Sequence, residues 1–304
     1  MIDPHIQAML EAMAESGFQL PDPLEAASLR IMLDAPIPAP SVEIAERRDI
    51  SIDADGVFIA GRLYHPAPEE ILPVVLFFHG GGWVHGSLDT HDRLAAILAE
   101  QGRCAVVSID YRLAPENPFP AAWDDARTSL CWIKDHHSEL GIDASRIAFA
   151  GDSAGGNLAA ALAQAVAGDP TIVHQLLFYP VLDGSCSGPS FDDDHLGFLS
   201  STQMRWYWDQ YAPGDLRSDA RASPAAAPIA PGTPPATIIV AGNDPLHDEG
   251  VAYAAKLEAA GIPVNLQAYE GAIHGFASLF GMIPLADEAV ANGTAALKAA
   301  FAQQ

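Results

Sequence analysis

The sequence predicts an α/β fold in which a mainly parallel sheet is covered by helices on both faces. Three observations carry this. From Val74 onward, short apolar runs alternate with amphipathic helical stretches, the pattern of strands buried on both sides. The chain has 304 residues, 49% of them hydrophobic and 18% charged, which is enough apolar material for one large core. No run approaches the roughly 18 uninterrupted apolar residues that a membrane helix needs.

Taken in order, helical patterns at residues 4–16 and 23–35 come first and lead into Pro36-Ile37-Pro38-Ala39-Pro40. Neither has a sheet partner nearby in sequence, so they read as a packing arm. Residues 47–52 and 57–65 read as strands joined at Asp55-Gly56, a strong hairpin-turn pair. The alternation then runs strand 74–79, helix 91–101, strand 105–110, helix 121–137, strand 146–151 and helix 154–167. It continues with strands 175–179 and 236–241, helix 248–260 ended by Gly261, strand 264–269 and helix 285–301. The stretch 183–222 breaks this rhythm: it opens with Gly, Ser and Asp, then carries the aromatics Trp206, Tyr207, Trp208 and Tyr211. An insertion between strands of such a sheet sits over the end where ligands bind. Residues 1–45 and 183–225 therefore read as a helical cap, and 46–182 with 226–304 as the core, entered through the Pro/Ala linker at 224–235.

Fifteen basic residues against 39 acidic ones give a net charge of -24. Such a surface repels phosphate backbones and anionic lipid, which argues against nucleic acid and membrane-surface partners. The acidity reads either as salt adaptation or as a compositional preference for Ala, Arg, Asp and Gly. Cys104, Cys131 and Cys186 are too few and too scattered for a disulfide framework or a cysteine zinc site. With no basic, apolar leader at the N-terminus, a cytoplasmic protein is expected.

The strongest chemical signal is Gly151-Asp152-Ser153-Ala154-Gly155, a G-x-S-x-G placed after an apolar strand and opening a helix. Small residues flank the serine because the turn is tight, and the helix start supplies free N–H groups beside it. A serine hydroxyl needs a base, and the base needs an orienting acid, in the chain order Ser, Asp, His. Asp244, in Gly242-Asn243-Asp244-Pro245-Leu246, and His274, in Gly271-Ala272-Ile273-His274-Gly275-Phe276, each follow a later strand. Asp248 is a rival orienter of His274, His247 precedes the last strand, and His136 and His137 read as solvated or capping residues. His79-Gly80-Gly81-Gly82-Trp83 follows the third strand, where glycines turn backbone N–H groups inward as half of an oxyanion hole. The N–H of Ala154 makes the other half. The loop lacks the Gly-Lys-Ser/Thr ending of a phosphate cradle. His79 reads as structural, and Asp192-Asp193-Asp194-His195 as solvated surface.

Together with Asp110-Tyr111-Arg112-Leu113-Ala114-Pro115-Glu116 and Asp244-Pro245-Leu246, these motifs resemble the bacterial hormone-sensitive-lipase-like carboxylesterases from about Ile50 to the C-terminus. The resemblance implies an α/β-hydrolase fold with an eight-stranded sheet and a helical cap. It implies Ser153 as nucleophile, Asp244 and His274 as its partners, and the N–H groups of Gly81, Gly82 and Ala154 as oxyanion hole. Short- and medium-chain acyl esters are the implied substrates, with no metal or cofactor, and homodimers are common. Trp83, Tyr179, Phe198, Trp206, Tyr207, Tyr211, Leu246 and Phe276 are the candidates for lining the pocket. His247 and Asn117 depart from the family's more usual Arg and His. An amidase, arylformamidase or lactonase on the same triad stays open. A ligand receptor on an inactive scaffold is disfavoured by the presence of His274.

Overall fold

An antiparallel hairpin, β1 (Glu46–Ala54) and β2 (Val57–His65), starts the sheet, with Ala54 opposite Val57. Six further strands follow: β3 (Leu72–Phe78), β4 (Ala105–Asp110), β5 (Ile142–Asp152), β6 (Ile172–Phe178), β7 (Ala236–Asn243) and β8 (Val264–Ile273). They form one eight-stranded sheet in the order β1-β2-β4-β3-β5-β6-β7-β8, parallel from β4 onward. This computed structural model describes residues 1–35, 39–54, 56–192 and 198–303. Asp55 of the expected turn, residues 36–38 of the proline-rich stretch, and Asp193, Asp194 and His195 of the acidic run lie outside them, while Asp192 is exposed.

All seven residues of β3 and all seven of β6 are buried, as strands covered on both faces must be. Alternate β3 residues go to opposite sides. Val74, Leu76 and Phe78 pack with α4 (Ala121–Asp135), α6 (Ala154–Ala165) and α9 (His247–Ala259), whereas Val75 and Phe77 pack with α3 (Asp92–Gly102) and α10 (Pro284–Ala302). The short α5 (His137–Leu140) follows α4. The arm straddles the sheet: Ile6 of α1 (Pro4–Glu15) joins the α3/α10 side, and Leu29 of α2 (Ala26–Leu33) joins the other.

Two strand ends run further than periodicity indicates. β5 starts at Ile142, paired with Leu72, because a register shift at Pro73/Val74 admits three extra residues, Ala144, Ser145 and Arg146. β8 runs on to Ile273, which pairs with Asn243 beyond a second irregularity.

The insertion between β6 and β7 holds α7 (Pro189–Asp192), α8 (Ser201–Tyr211) and a 3₁₀ turn, Gly214–Ser218. Ser200 and Gln203 form a capping box that fixes where α8 starts. Its two feet are stitched together on the core. Asn157 of α6 donates through Nδ2 to the carbonyls of Val181 (2.9 Å) and Ala222 (2.7 Å), and Ala225 N–H donates to Leu182 O (3.0 Å). Buried Glu249 accepts the N–H of Leu182 at 2.5 Å. Among the described residues, no helix is long and apolar enough to cross a membrane, and no group of three His, Cys, Asp or Glu is placed to hold a metal ion.

Candidate active site

The turn between β5 and α6 sets Ser153 at φ 54°, ψ −118°, a conformation that costs about 1–3 kcal/mol for a residue with a side chain. It is held by Ser153 N–H donating to Phe178 O (2.9 Å) and by Ser153 O accepting from Asn157 and Val181 N–H (3.0 and 3.1 Å). Glycine is required beside it: a Cβ on Gly155 would overlap the Phe78 carbonyl, and one on Gly151 would come within 2.7 Å of the same oxygen. Tight packing of α6 on β3 thus delivers the hydroxyl to the carboxyl ends of the parallel strands.

The other two members arrive through the β7/β8 register. Because Ile273 pairs with Asn243, the residues that follow, His274 and Asp244, leave the sheet side by side. His274 Nδ1 lies 2.7 Å from Asp244 Oδ2, and its Nε2 lies 2.9 Å from Ser153 Oγ. Asp244 is fully buried, and its second oxygen accepts Leu246 N–H at 2.9 Å. This fixes the carboxylate so that it holds the proton on Nδ1 and leaves Nε2 as the acceptor. A hydroxyl, a base and an orienting acid in this sequence form a nucleophile chain.

Joined to the Ser153 turn by Gly80 N–H donating to Asp152 Oδ1, the loop after β3 turns back on itself. Gly81 and Gly82 take φ +116° and +59°, and Gly81 O accepts the N–H of Val84 and of His85, both at 3.0 Å. Among the described residues, none accepts a hydrogen bond from the N–H of Gly81, Gly82 or Ala154. His79, fully buried, bonds Gly80 O through Nδ1 (2.7 Å) and stacks on Tyr111 at 4.3 Å; Tyr111 hydroxyl in turn donates to His79 O (2.7 Å). Burial, helped by the neighbouring His91, brings the His79 imidazole down to about 3, so it is a neutral strut, as expected from sequence.

The rival residues are engaged elsewhere. His247 Nδ1 faces Ala241 O at 3.0 Å, and Asp248 Oδ2 accepts Ser190 N–H from the insertion at 2.8 Å. His136 caps α4 through Trp132 O (2.9 Å), and His137 is exposed. The candidate lining residues separate by burial. Tyr179, 1% exposed, sets its ring edgewise to His274 at 4.9 Å, with Phe276 packed behind it at 5.7 Å. Trp83, also fully buried, stacks on Tyr211 (4.1 Å) and leans on Trp208 (4.8 Å), so it anchors the loop to α8. Leu246 is buried beside Asp244, Trp206 keeps part of its surface, and Phe198, 38% exposed, lies against Gly275 at the His274 side.

Sequence reading missed three contacts that shape this site. Asp152 Oδ1 accepts Gly80 N–H at 2.9 Å; Tyr207 places its ring where a Cβ of Gly82 would be; His85 Nε2 meets Tyr207 Oη at 3.0 Å. The small residue at position 82 was a signal for the second, since a glycine at positive φ leaves room for a ring.

Comparisons with known proteins identify the family. The family model described as alpha/beta hydrolase fold matches residues 75–278. Carboxylesterase NlhH of Mycobacterium tuberculosis is 40% identical, over 99% of this chain and 96% of that one. Ethyl acetate hydrolase of Pseudomonas putida is 40% identical over 82% of this chain and 81% of its own. Among solved structures, a thermostable esterase from Pseudomonas putida superposes with a TM-score of 0.92 at 37% identity, covering 99% of this chain and 98% of the other. The chain therefore belongs to the alpha/beta hydrolase fold family, in its hormone-sensitive-lipase-like branch.

Proposed function

We propose that the protein is a serine carboxylesterase acting on short- and medium-chain acyl esters, and that Ser153, His274 and Asp244 are its catalytic residues. The observation that carries this is the unbroken chain Ser153 Oγ–His274 Nε2, His274 Nδ1–Asp244 Oδ2; that no described residue accepts from the N–H groups of Gly81, Gly82 and Ala154 supports their role as oxyanion donors. Ser153 Oγ attacks the ester carbonyl carbon while its proton passes to His274 Nε2, and Asp244 stabilises the imidazolium. The negative oxygen that forms is received by the three N–H groups, each donor typically worth ~10²–10³ in turnover. His274 gives its proton to the departing alcohol, leaving an acyl-serine. Water, deprotonated by the same imidazole, then releases the acid and restores the hydroxyl.

The arm and the insertion act as a cap, residues 1–45 and 183–225, on a core formed by the rest. The contact of Tyr207 with Gly82 and that of Ser190 with Asp248 support this reading, because both bring the insertion to the site. A capped cavity favours bounded acyl chains over emulsified lipid, and the name of ethyl acetate hydrolase points the same way. The three unpaired cysteines fit a cytoplasmic enzyme. A homodimer, through the edge at β8 or the aromatics of the insertion, belongs to the same reading and is decided by sedimentation velocity.

The test is hydrolysis of p-nitrophenyl acetate, butyrate, octanoate and palmitate by wild type and Ser153→Ala. A maximum at butyrate to octanoate, lost in the variant while its circular dichroism is unchanged, supports the assignment. Equal turnover by both proteins removes Ser153 from it, and a palmitate optimum removes the bounded pocket.

A further inference from the structure

The two glycines that offer N–H groups to the oxyanion have no side chains to hold them, so something else must. The Gly81–Gly82 peptide is planar, and its carbonyl is pinned by the N–H groups of Val84 and His85 at 3.0 Å each, which turns the Gly82 N–H the opposite way. Glycine backbone at φ +116° and +59° is otherwise free to reorient. Both faces of this turn are closed by contacts. The His85 carbonyl sits over Gly81 and the Tyr207 ring over Gly82, each where a Cβ would be.

His85 joins these pieces. Its Nε2 meets Tyr207 Oη of α8 at 3.0 Å, and its Nδ1 faces Asp34 Oδ1 at the end of α2 at 3.5 Å. With the ring proton on Nδ1 toward Asp34, Nε2 accepts the Tyr207 hydroxyl. Asp34 Oδ1 also accepts Gly86 N–H (2.8 Å), and Arg30 of α2 donates to Val84 O (2.7 Å). The arm therefore grips the turn through two residues. Among the described residues, α8 has a single polar tie to it, the Tyr207–His85 bond.

We propose that His85 is a positioning residue for ester hydrolysis, latching the cap helix onto the oxyanion loop so that the Gly82 N–H is aimed at the substrate only while the cap is docked. This rests on the esterase reading above. It makes cap closure and oxyanion stabilisation one event, because the ring that closes the cap is the ring that immobilises Gly82.

The experiment compares wild type, Tyr207→Phe, His85→Leu, the double variant and His85→Gln. Each is assayed for kcat and KM on p-nitrophenyl butyrate, and for binding of butyl trifluoromethyl ketone against butyl methyl ketone. The first ketone forms a tetrahedral adduct whose oxygen needs the N–H groups; the second stays trigonal. The latch predicts that Tyr207→Phe and His85→Leu each lose about tenfold in kcat and in affinity for the fluorinated ketone, with KM and methyl ketone binding held within about twofold. It predicts that the double variant falls no further than either single one, and that His85→Gln recovers most of the loss. Unchanged kcat in both single variants, additive losses, or equal weakening of both ketones overturns the latch while leaving the esterase standing. No turnover by wild type on any of the esters overturns both.

Discussion

The carboxylate of Asp152 accepts the N–H of Gly80 at 2.9 Å, joining the turn that carries Ser153 to the loop that carries Gly81 and Gly82. The bond spans 72 residues of sequence and ties together the two segments that carry the proposed oxyanion donors. Asp152 also faces His91 Nε2 at 3.3 Å.

Burial would raise the Asp152 carboxyl, but the charge and hydrogen bond of His91 and the N–H of Gly80 outweigh it and leave the group below its ordinary 3.8. A lowered carboxyl stabilises the fold above 3.8, and that contribution is lost as pH falls through the folded value. Asp152→Ala, which removes the carboxylate that Gly80 N–H and His91 share and leaves Gly80 N–H only the longer 3.3 Å contact with His91 Nε2, is expected to lose about 2–4 kcal/mol at neutral pH. Asp152→Asn keeps an acceptor and loses less. Its deficit against wild type shrinks as chemical denaturation is repeated from pH 7 down to pH 3.

Asp244→Asn tests the orienting role. The amide oxygen can still accept Leu246 N–H, so the amide NH₂ turns toward His274 Nδ1 and forces the proton to Nε2. That tautomer cannot accept the proton of Ser153. A fall of about 10⁴ in kcat is expected, with the unfolding temperature within a few degrees of wild type. Retention of more than a tenth of wild-type kcat would remove Asp244 from the chain.

Glu249 is buried with one oxygen on Leu182 N–H. Burial, opposed by that bond and reinforced by Asp183 and Asp244, pushes its carboxyl well above 4.5 in the folded protein. Between 4.5 and the folded value only the unfolded chain ionises, and stability falls as pH rises, by up to about 1.4 kcal/mol per unit. Glu249→Gln has no proton to lose. Its unfolding temperature should match wild type near pH 4 and exceed it increasingly as pH rises above 4.5 through the folded value. A constant difference across that range contradicts the assignment.

Asn157→Leu keeps the volume on α6 and strips the Val181 and Ala222 carbonyls of their common donor. A loss of about 2–4 kcal/mol is expected, with faster tryptic cleavage inside residues 198–222 under native conditions. Unchanged cleavage would mean that the feet are held by their other bonds.

Central strands such as Leu72–Phe78 were legible because both faces are buried and the run is apolar, and the edge hairpin because of its Asp55-Gly56 turn pair. Their ends were not, since β5 and β8 are extended by pairing across irregularities at Pro73/Val74 and Ala241/Asn243, which is a property of the neighbouring strand. Ser153, Asp244 and His274 were legible because chain order and strand context restrict where a nucleophile chain can form. Their convergence within 2.9 Å agrees with that reading. The aromatics were the weakest signal. Phe276 and Phe198 look alike in sequence, yet one is fully buried behind Tyr179 and the other keeps 38% of its surface. The His85–Tyr207 bond spans 122 residues and follows no local pattern.

Because one side-chain amide gathers the chain at Val181 and again at Ala222, the strands meet the insertion as a closed ring, whatever its contour between those points. Lengthening such a ring is inexpensive, about 0.6 kcal/mol for each doubling of a flexible loop. The stretch 183–222 is thus a cassette. A donor segment that brings its own aromatics and ends on the same two carbonyls is expected to replace it while β6 and β7 keep their register, and on the proposed cap reading the exchange changes which acyl groups enter.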